Sequence, residues 1–410
     1  MTATRENSTV GSGACLFVSF EMGWSKIKIA SSSSVVEKPR IKEIAARDLQ
    51  SLAEELAKAK KRFGLPASAP VQCCYEAGRD GFWLHRWLTA QGIANLVVDP
   101  GSLKVNRRRK RAKTDRIDAV LLLSSLFDHL SGKKDVWSVV HVPTLVQEEQ
   151  RQLHREYDTL KGERTEHVNR IKGILATLGL KLEKVDGKFA SWLDEQKLLE
   201  TGAGIPADYR ERLLREYLRW QLANEQMAAL ETEQKRRVAA CAEEAAGEKA
   251  SQKAQDERTL ALVRKLMGLK GIGIKSAWLF VYEFFGWRNF KNRRQVGSLG
   301  GLTPTPYQSG DTAKEMGLNK AGNSWVRSVI VEVAWGWLQW QPKSALTQWF
   351  HNRFSRSGGR SRKKGIVALS RKLLIALWRW LEFDEKPAGA VEVDWRSKVK
   401  VAKKGQPQAA

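Results

Sequence analysis

The sequence predicts an α/β chain with a second, mostly helical part, and two patterns carry that prediction. Short apolar runs at residues 14–21, 26–30 and 71–76 end in polar or turn-forming residues, which is typical of β-strands. From about residue 147 onward, apolar residues recur every three or four positions within highly charged stretches, which is typical of amphipathic helices. We therefore expect a mixed-sheet domain first and helical regions after it.

Net charge points to the kind of partner. The 410 residues include 70 Lys and Arg against 45 Asp and Glu, a formal charge of +25, which favours a partner that carries many phosphates. An anionic membrane surface is the competing partner. No run reaches the 18 apolar residues of a spanning helix, and residues 1–13 lack an apolar signal core. The expectation is a cytoplasmic protein that does not cross a membrane.

Cysteine and tryptophan each admit two interpretations. The four cysteines show no zinc-like spacing, so we expect reduced thiols in the core and no zinc site. Sixteen tryptophans could stack on nucleobases, but several lie inside apolar helical patterns, where core packing is the better prediction. These are Trp335, Trp337, Trp340, Trp378 and Trp380.

The first 140 residues predict a particular order of elements. Two strands form a hairpin, a third strand lies near Ile41, and Asp48 caps a helix that runs to about Phe63. A strand at 71–76, a helix at 82–90 and a strand at 94–98 follow. Strands that precede alternating strands and helices are typical of a mixed sheet of the ribonuclease-H kind.

Acidic residues mark the ends of these elements. Glu21 and Glu76 end strands, and Asp115 and Asp118 lie three apart in the first turn of a helix, on one face. Carboxylates held together in this way are ligands for Mg²⁺, which can act on a phosphodiester. The alternative is ordinary helix-start chemistry, in which acids favour the helix dipole behind a Thr114 cap. Asp99, followed by Pro100 and Gly101, reads better as a turn residue.

Two long amphipathic segments occupy the middle of the chain. Residues 147–180 and 212–246 could pair as an antiparallel coiled coil, with a break at 202–206. Such a pair usually acts as a spacer or an oligomer contact. The polar stretch 247–258 predicts a flexible link.

The C-terminal part contains two loops of interest. Gly271 and Gly273 stand between helical patterns, as in a helix-hairpin-helix, whose turn amides can meet a phosphate. Ser309 lies in a loop rich in proline and glycine, with cations after it. A loop serine is usually a turn former, but a hydroxyl beside cations could also attack a phosphodiester. A helix is expected over 367–381, behind a basic segment.

Several short motifs along the chain are weak evidence singly but specific when taken together. They are Tyr75-Glu76-Ala77-Gly78, Lys113-Thr114-Asp115-Arg116-Ile117-Asp118-Ala119, Gly271-Ile272-Gly273, Leu299-Gly300-Gly301-Leu302-Thr303-Pro304 with Ser309-Gly310, and Lys320-Ala321-Gly322-Asn323 with Arg327. With these motifs the chain resembles the bridge-RNA-guided transposases of the insertion sequence 110 group. The resemblance implies a RuvC-like (RNase H-like) domain with an Mg²⁺-binding acidic tetrad, a coiled coil, and a transposase domain with a nucleophilic serine.

Carried over by motif, the tetrad falls on Glu21, Glu76, Asp115 and Asp118, and the nucleophile on Ser309. The first tetrad position is normally Asp, so Glu21 departs from the pattern. The implied domains are 1–140 (RuvC-like), 141–258 (coiled coil), 259–345 (transposase, with the helix-hairpin-helix) and 346–410 (basic helix and tail). The residues expected to bind nucleic acid are Arg107, Arg108, Arg109, Lys110, Arg111, Lys113, Gly271, Gly273, Lys320, Asn323, Arg327, Arg360, Arg362, Lys363 and Lys364.

Three functions are consistent with the sequence. The first, implied by the resemblance, is a recombinase that cuts and rejoins donor and target DNA through a serine-linked intermediate, guided by a structured bridge RNA, as a dimer or tetramer. The second is a metal-dependent nuclease of the Holliday-junction type that uses the four acids and water, with Ser309 as a turn residue. The third is a nucleic-acid-binding protein without catalysis. A covalent protein–DNA adduct would separate them.

Overall fold

The computed structural model describes residues 14–79, 81–103, 115–240, 248–309, 312–318, 322–354 and 358–399. Within these ranges, the side chains of Asp115, of residues 248–255, 306–309 and 312–316, and of Arg360 lie outside the description. The chain divides between Val142 and Pro143 into two compact units, called here the N-terminal and C-terminal units.

The N-terminal unit is built on a five-stranded mixed sheet. Its strands are β1 (Leu16–Met22), β2 (Lys26–Ser32), β3 (Arg40–Ala45), β4 (Val71–Glu76) and β5 (Ala94–Val98), in the order β3-β2-β1-β4-β5. β1 pairs antiparallel with β2, and β2 with β3, whereas β1 is parallel to β4 and β4 to β5. The predicted α/β class is confirmed for this part of the chain.

Three helices pack on the sheet, which is therefore buried on both faces. Helices α1 (Leu49–Arg62) and α2 (Trp83–Ala90) cover one face, and α3 (Asp115–Leu130) covers the other. Asp48 caps α1 as predicted, accepting a hydrogen bond of 3.0 Å from the Ser51 amide. Asp99 is a turn residue, also as predicted, because its carboxylate accepts from the Gly101 amide at 2.9 Å.

The C-terminal unit is mostly helical. Its helices are α4 (Leu145–Glu149), α5 (Gln152–Thr177), α6 (Phe189–Glu195), α7 (Ala207–Ala239), α8 (Glu248–Met267), α9 (Ile274–Phe280), α10 (Arg293–Leu299), α11 (Ser324–Trp340), α12 (Ala345–Phe354) and α13 (Gly359–Phe383). A π-helical turn (Val281–Phe285) continues α9, and strands β6 (Pro304–Ser309) and β7 (Thr312–Leu318) form a hairpin.

The long helices α5 and α7 pack together in antiparallel fashion. Tyr157 near the start of α5 bonds to Glu231 near the end of α7 (3.0 Å), and His167 farther along α5 lies 2.7 Å from Glu216. Their shared core includes Ile171 and Leu213. Helix α5 is shorter than the predicted 147–180, whereas α7 begins before the predicted residue 212, at Ala207, and ends at Ala239. The flexible link expected at 247–258 is wrong from Glu248 onward, where α8 begins.

A large apolar core holds α8 to α13 together. Trp278 and Trp337 are among its largest fully buried side chains. The expectation that the helical tryptophans pack inside holds for Trp337 and Trp378, whereas Trp335 and Trp340 are 42% and 48% exposed. Each of those two indoles has a cation over its ring, Arg362 at 5.7 Å from Trp335 and Lys270 at 5.7 Å from Trp340.

Two expectations from composition can be compared with the structure. Among the helices within the described ranges, none has the length and apolar character needed to cross a membrane. Cys73 and Cys74 are buried free thiols, and burial raises the pKa of both above the ordinary thiol value. Cys241 lies outside the described residues.

Candidate acidic site and serine hairpin

The two glutamates of the predicted site lie at the carboxyl ends of neighbouring parallel strands: Glu76 is the last residue of β4, whereas β1 continues one residue past Glu21 to Met22. The last register pair between β1 and β4 is Phe20 with Tyr75, so Glu21 and Glu76 each follow by one residue. Parallel strands lie about 4.8 Å apart and their carboxyl ends share one edge of the sheet. The backbone therefore brings Glu21 and Glu76 to adjacent positions at that edge.

Both glutamates belong to the sheet face covered by α3. Side chains alternate along a strand, so Glu21 shares a face with Ser19, and Glu76 with Cys74. The Ser19 hydroxyl donates to the Ala119 carbonyl of α3 (2.7 Å), and the Cys74 thiol donates to the Leu122 carbonyl (3.8 Å).

The direction of α3 places its first turn toward the same edge. Phe127, near the end of α3, packs on Phe17 early in β1 (ring centroids 4.8 Å apart), while Ala119 lies over Ser19 farther along the strand. Helix α3 therefore runs opposite to β1, and its N-terminal turn approaches the strand end that carries Glu21. Asp118 lies in this turn and is half-buried.

The residue types suit Mg²⁺, which prefers carboxylate oxygens. Among the side chains that the structure describes, no three His, Cys, Asp or Glu residues form a group able to hold a metal ion. The side chain of Asp115 lies outside that set, so the complete four-residue cluster stays a prediction.

Ser309 is the last residue of β6 and pairs with Thr312 of β7 at the tip of the hairpin. The prediction of an irregular loop around Ser309 is therefore wrong. A register shift between Pro304 and Pro306 lets the strand accommodate both prolines, because a bulge removes residues from regular pairing. Ser309 is therefore at the far end of a two-stranded arm whose pairing is irregular only between Pro304 and Pro306.

Two motif segments meet at the base of this arm. The Asn323 amide donates to the Leu299 carbonyl (2.8 Å), and the Asn323 side chain caps α11 by accepting from the Val326 amide (3.1 Å). Gly322 lies so close to Gly301 that a β-carbon on it would collide with the Gly301 backbone. These contacts fix the start of α11 beside the start of β6.

Arg327, one turn into α11, belongs to the same region. Its Nη1 atom is buried and has no hydrogen-bond partner among the described residues. A buried guanidinium nitrogen without an acceptor is costly, and an incoming anion would satisfy it. Lys320, predicted to act beside it, lies outside the described residues.

The glycine turn predicted as a helix-hairpin-helix joins α8 to α9. Gly271 has a φ of +93° and lies against Trp340. The ammonium of Lys398 donates to three carbonyls of this segment, those of Met267, Leu269 and Ile272, at 2.6, 3.0 and 3.0 Å. The short 3-10 helix Trp395–Lys398 therefore holds the turn in place, and the use of the turn in phosphate binding stays a prediction.

The other basic residues expected to contact nucleic acid lie on α13 or outside the described residues, and the side chain of Arg360 is also outside the description. Arg362, Lys363 and Lys364 are exposed on the first turns of α13, which begins at Gly359 and not at residue 367 as predicted. Arg107 to Arg111 and Lys113 lie outside the described residues.

Sequence reasoning missed a buried ionic cluster around Glu283. This carboxylate, in the π-helical turn after α9, is 1% exposed. His154 Nε2 lies 2.9 Å from its Oε1, and Arg155 donates to both oxygens at 2.6 and 3.2 Å. Burial alone would raise the pKa of Glu283, but the bonds from His154 and Arg155 outweigh it and lower that pKa to about 2.

Aromatic rings enclose the cations of this cluster. Arg151 and Arg288 lie over the Trp287 ring at 4.2 and 3.9 Å, and Arg155 lies over Trp325 at 4.8 Å. Burial lowers the pKa of Arg288 to about 10. The cluster joins α5 to the segment after α9 and to the start of α11. No local sequence signal indicates it, because His154 and Glu283 are 129 residues apart.

The strongly basic charge of the chain is typical of a protein that binds nucleic acid, and the acids at one sheet edge are ligands of the kind used in metal-dependent cleavage of phosphodiesters. The comparisons with known proteins agree. Residues 263–349 match the family model described as Transposase IS116/IS110/IS902 family. This segment contains the glycine turn, the serine hairpin and α11.

Full-length relatives extend the match. The chain is 38% identical to "Putative transposase y4rJ" of Sinorhizobium fredii (strain NBRC 101917 / NGR234) over 385 residues, covering 92% of this chain and 94% of the relative. It is 24% identical over 324 residues to the transposase for insertion sequence element IS1111A of Coxiella burnetii (78% and 80% covered). It is also 25% identical over 210 residues to that of IS1328 from Yersinia enterocolitica (50% and 55% covered). The chain therefore belongs to the IS116/IS110/IS902 family of transposases, which are DNA-cutting recombinases.

Proposed function

We propose that this transposase cuts and rejoins donor and target DNA by means of a carboxylate-held Mg²⁺ and a serine-linked intermediate. The observation that carries the proposal is the placement of Glu21 and Glu76 in adjacent register at one sheet edge, on the face toward which the first turn of α3 runs. The strand order of this sheet also supports the RuvC-like (RNase H-like) assignment.

Glu21, Glu76, Asp115 and Asp118 are proposed to hold the metal. Bound Mg²⁺ would neutralise the charge that develops on the phosphodiester during cleavage. The carboxylates would fix the position of the ion. The backbone next to Asp118 is held by the hydrogen bond from the Ser19 hydroxyl to the Ala119 carbonyl.

Ser309 is proposed as the nucleophile. Its Oγ forms a bond to phosphorus, the bond from phosphorus to the leaving sugar oxygen breaks, and the serine proton passes to solvent while that oxygen gains a proton. Attack by the freed sugar oxygen on the serine-linked phosphate reverses these steps and rejoins a strand. Arg327 lies at the base of the hairpin, the length of β6 away from Ser309, and is proposed to bind a different phosphate of the DNA.

A structured bridge RNA is proposed to select the DNA sites. The net charge of +25 supports a nucleic-acid partner, the family resemblance implies the RNA, and base pairing would supply the sequence specificity. The glycine turn after α8 and the exposed cations of α13 are the proposed phosphate contacts. We further propose a dimer or tetramer, with α5 and α7 as an oligomer contact.

The second candidate is a Holliday-junction-type nuclease that uses the acids and water. It is favoured by one observation: Ser309 is paired with Thr312 in a strand, and a serine at such a position is compatible with a purely structural role. The two candidates differ in whether DNA becomes attached to the protein.

The test is a suicide DNA substrate incubated with wild type, Asp118→Asn and Ser309→Ala. Asp118→Asn removes a ligand charge but little binding surface, so cleavage should be lost while DNA binding stays within about twofold of wild type. A denaturation-resistant adduct with wild type that is absent with Ser309→Ala supports the serine mechanism. Cleavage by Ser309→Ala with no adduct supports the water mechanism, and full cleavage by Asp118→Asn rules out both.

A further inference from the structure

The turn between β1 and β2 presents an exposed tryptophan. The Gly23 amide donates to the Lys26 carbonyl at 3.0 Å, which makes a tight turn with Trp24 near its tip. A β-carbon on Gly23 would lie 2.6 Å from the Lys26 carbonyl oxygen, so glycine is required there. Trp24 is 66% exposed, which is unusual for so large an apolar side chain.

Two arginines flank this indole. The guanidinium carbons of Arg47 and Arg79 lie 4.8 and 5.0 Å from the Trp24 ring, and Arg47 also donates to the Trp24 carbonyl at 3.1 Å. Both arginines are exposed. Because the ring keeps most of its surface open, the three side chains form an exposed aromatic surface with two positive charges beside it.

The backbone of Arg47 is held in an unfavourable conformation. Its φ is +70°, in the left-handed region, which is unfavourable for a residue other than glycine. This conformation comes directly before Asp48, the cap of α1, and it accompanies the contact of Arg47 with Trp24. Strain retained at an exposed residue often accompanies a functional arrangement.

The position of this surface relates it to the acidic edge. Trp24 follows Glu21 by three residues, and Arg79 follows Glu76 by three residues, both just beyond the carboxyl ends of β1 and β4. The indole and its arginines therefore lie at the same edge of the sheet as the two glutamates. A nucleotide held there would lie next to a phosphate bound at the proposed metal site.

We propose that Trp24, Arg47 and Arg79, called here the indole platform, bind one unpaired DNA nucleotide next to the phosphate that is cut. The base stacks on the Trp24 ring, and the guanidinium groups contact the flanking phosphates. A base inside a duplex has no free face, so the platform selects DNA that is unpaired at this point. The location rests on the proposed function, but the binding of an unpaired nucleotide does not depend on catalysis.

The test measures binding of DNA by the full chain with EDTA present, so that no cleavage occurs. The probes are a single-stranded DNA oligonucleotide that contains 2-aminopurine, the same strand in a blunt duplex, and the equivalent RNA. Anisotropy gives the affinity, and quenching of 2-aminopurine reports stacking. Trp24→Ala is compared with Trp24→Phe, which keeps a ring, and with the control Tyr209→Ala, which removes another exposed ring, 41% exposed on α7.

Loss of one stacked base costs about 1–3 kcal/mol, so Trp24→Ala should weaken single-stranded DNA binding roughly tenfold and abolish quenching. Trp24→Phe should keep most of both, duplex affinity should change less than about twofold, and Tyr209→Ala should match wild type. Arg79→Gln should lower the slope of log affinity against log salt by about 1.

Three results would overturn the platform. They are unchanged single-stranded binding by Trp24→Ala, equal losses for single strand and duplex, and a loss confined to the RNA probe. Failure of the proposed function is a separate result, because it would appear as cleavage by Asp118→Asn in the presence of Mg²⁺ while these affinities stayed as predicted.

Discussion

Replacing Glu283 with glutamine tests the ionic cluster that joins α5 to the segment after α9. Glutamine keeps the size of the side chain and can still accept a hydrogen bond from Arg155, but it lacks the charge that balances the surrounding cations. Glutamine thus resembles the protonated carboxyl. The loss of stability should equal the free-energy difference between the charged and the neutral Glu283.

The magnitude follows from the pKa. The ordinary carboxyl value is 4.5 and that of Glu283 is about 2; at about 1.4 kcal/mol per pKa unit, the difference corresponds to about 3 kcal/mol. The group is almost fully buried, so solvent screening takes little from this figure. Because the folded-state pKa is the lower one, the contribution is complete above about pH 4.5 and is lost as pH falls through about 2.

The assay is urea unfolding followed by tryptophan fluorescence, since Trp287 and Trp325 lie against the arginines of the cluster. We expect Glu283→Gln to lower the free energy of unfolding by about 3 kcal/mol at pH 7 and by about 2 kcal/mol near pH 3.5. Glu211→Gln is the matched control, because its partner Arg215 is 3.2 Å away and both side chains are mostly exposed. That change should cost less than about 0.5 kcal/mol.

Two outcomes would refute the reasoning. A loss at pH 7 no larger than that of Glu211→Gln would mean that the charge of Glu283 does not stabilise the fold. Equal losses at pH 7 and near pH 3.5 would mean that the loss comes from packing and not from ionisation.

Three further predictions concern the DNA chemistry. Ser309→Ala should abolish the covalent adduct and leave DNA affinity within about twofold, because the change removes only a hydroxyl; an adduct at the wild-type level would show another nucleophile. Mixing Ser309→Ala with Asp118→Asn protein should restore some adduct if the two residues act from different chains, and no recovery in verified mixed oligomers would exclude that arrangement. Neutralising four basic residues of α13 should weaken binding to all sequences alike and reduce the slope of log affinity against log salt by about 4, which salt titration of the variant measures. They are Arg360, Arg362, Lys363 and Lys364.

The N-terminal sheet could be predicted because its signals are local. Val71–Glu76 and Ala94–Val98 are strands with the predicted bounds, since each is an apolar run closed by turn residues. The ends of such runs also identified Glu21 and Glu76. Parallel neighbours then bring these strand ends together without further information.

The segments that were mispredicted have conflicting local signals. Residues 248–258 are polar enough to suggest a link, yet Ala, Glu, Lys and Gln in that stretch are good helix formers, and α8 includes them. Pro304 and Pro306 favour a loop around Ser309, but a register shift absorbs them within a paired strand. In both places the local sequence permits two structures and does not decide between them.

The Glu283 cluster and the indole platform could not be predicted because their residues are distant in sequence. Glu283 is the one acid in the apolar segment Val281–Phe285, and sequence alone would place it on an exposed side of a helix. Its partners come from α5, and they make burial of the charge tolerable because their hydrogen bonds outweigh desolvation. Likewise, Trp24 and Arg47 meet because a left-handed residue ends the link between β3 and α1, a conformation that no side-chain pattern indicates for arginine. Sites formed by charges and rings that are distant in sequence can therefore be recognised only from the folded structure, whereas sites at strand ends can be predicted from the sequence.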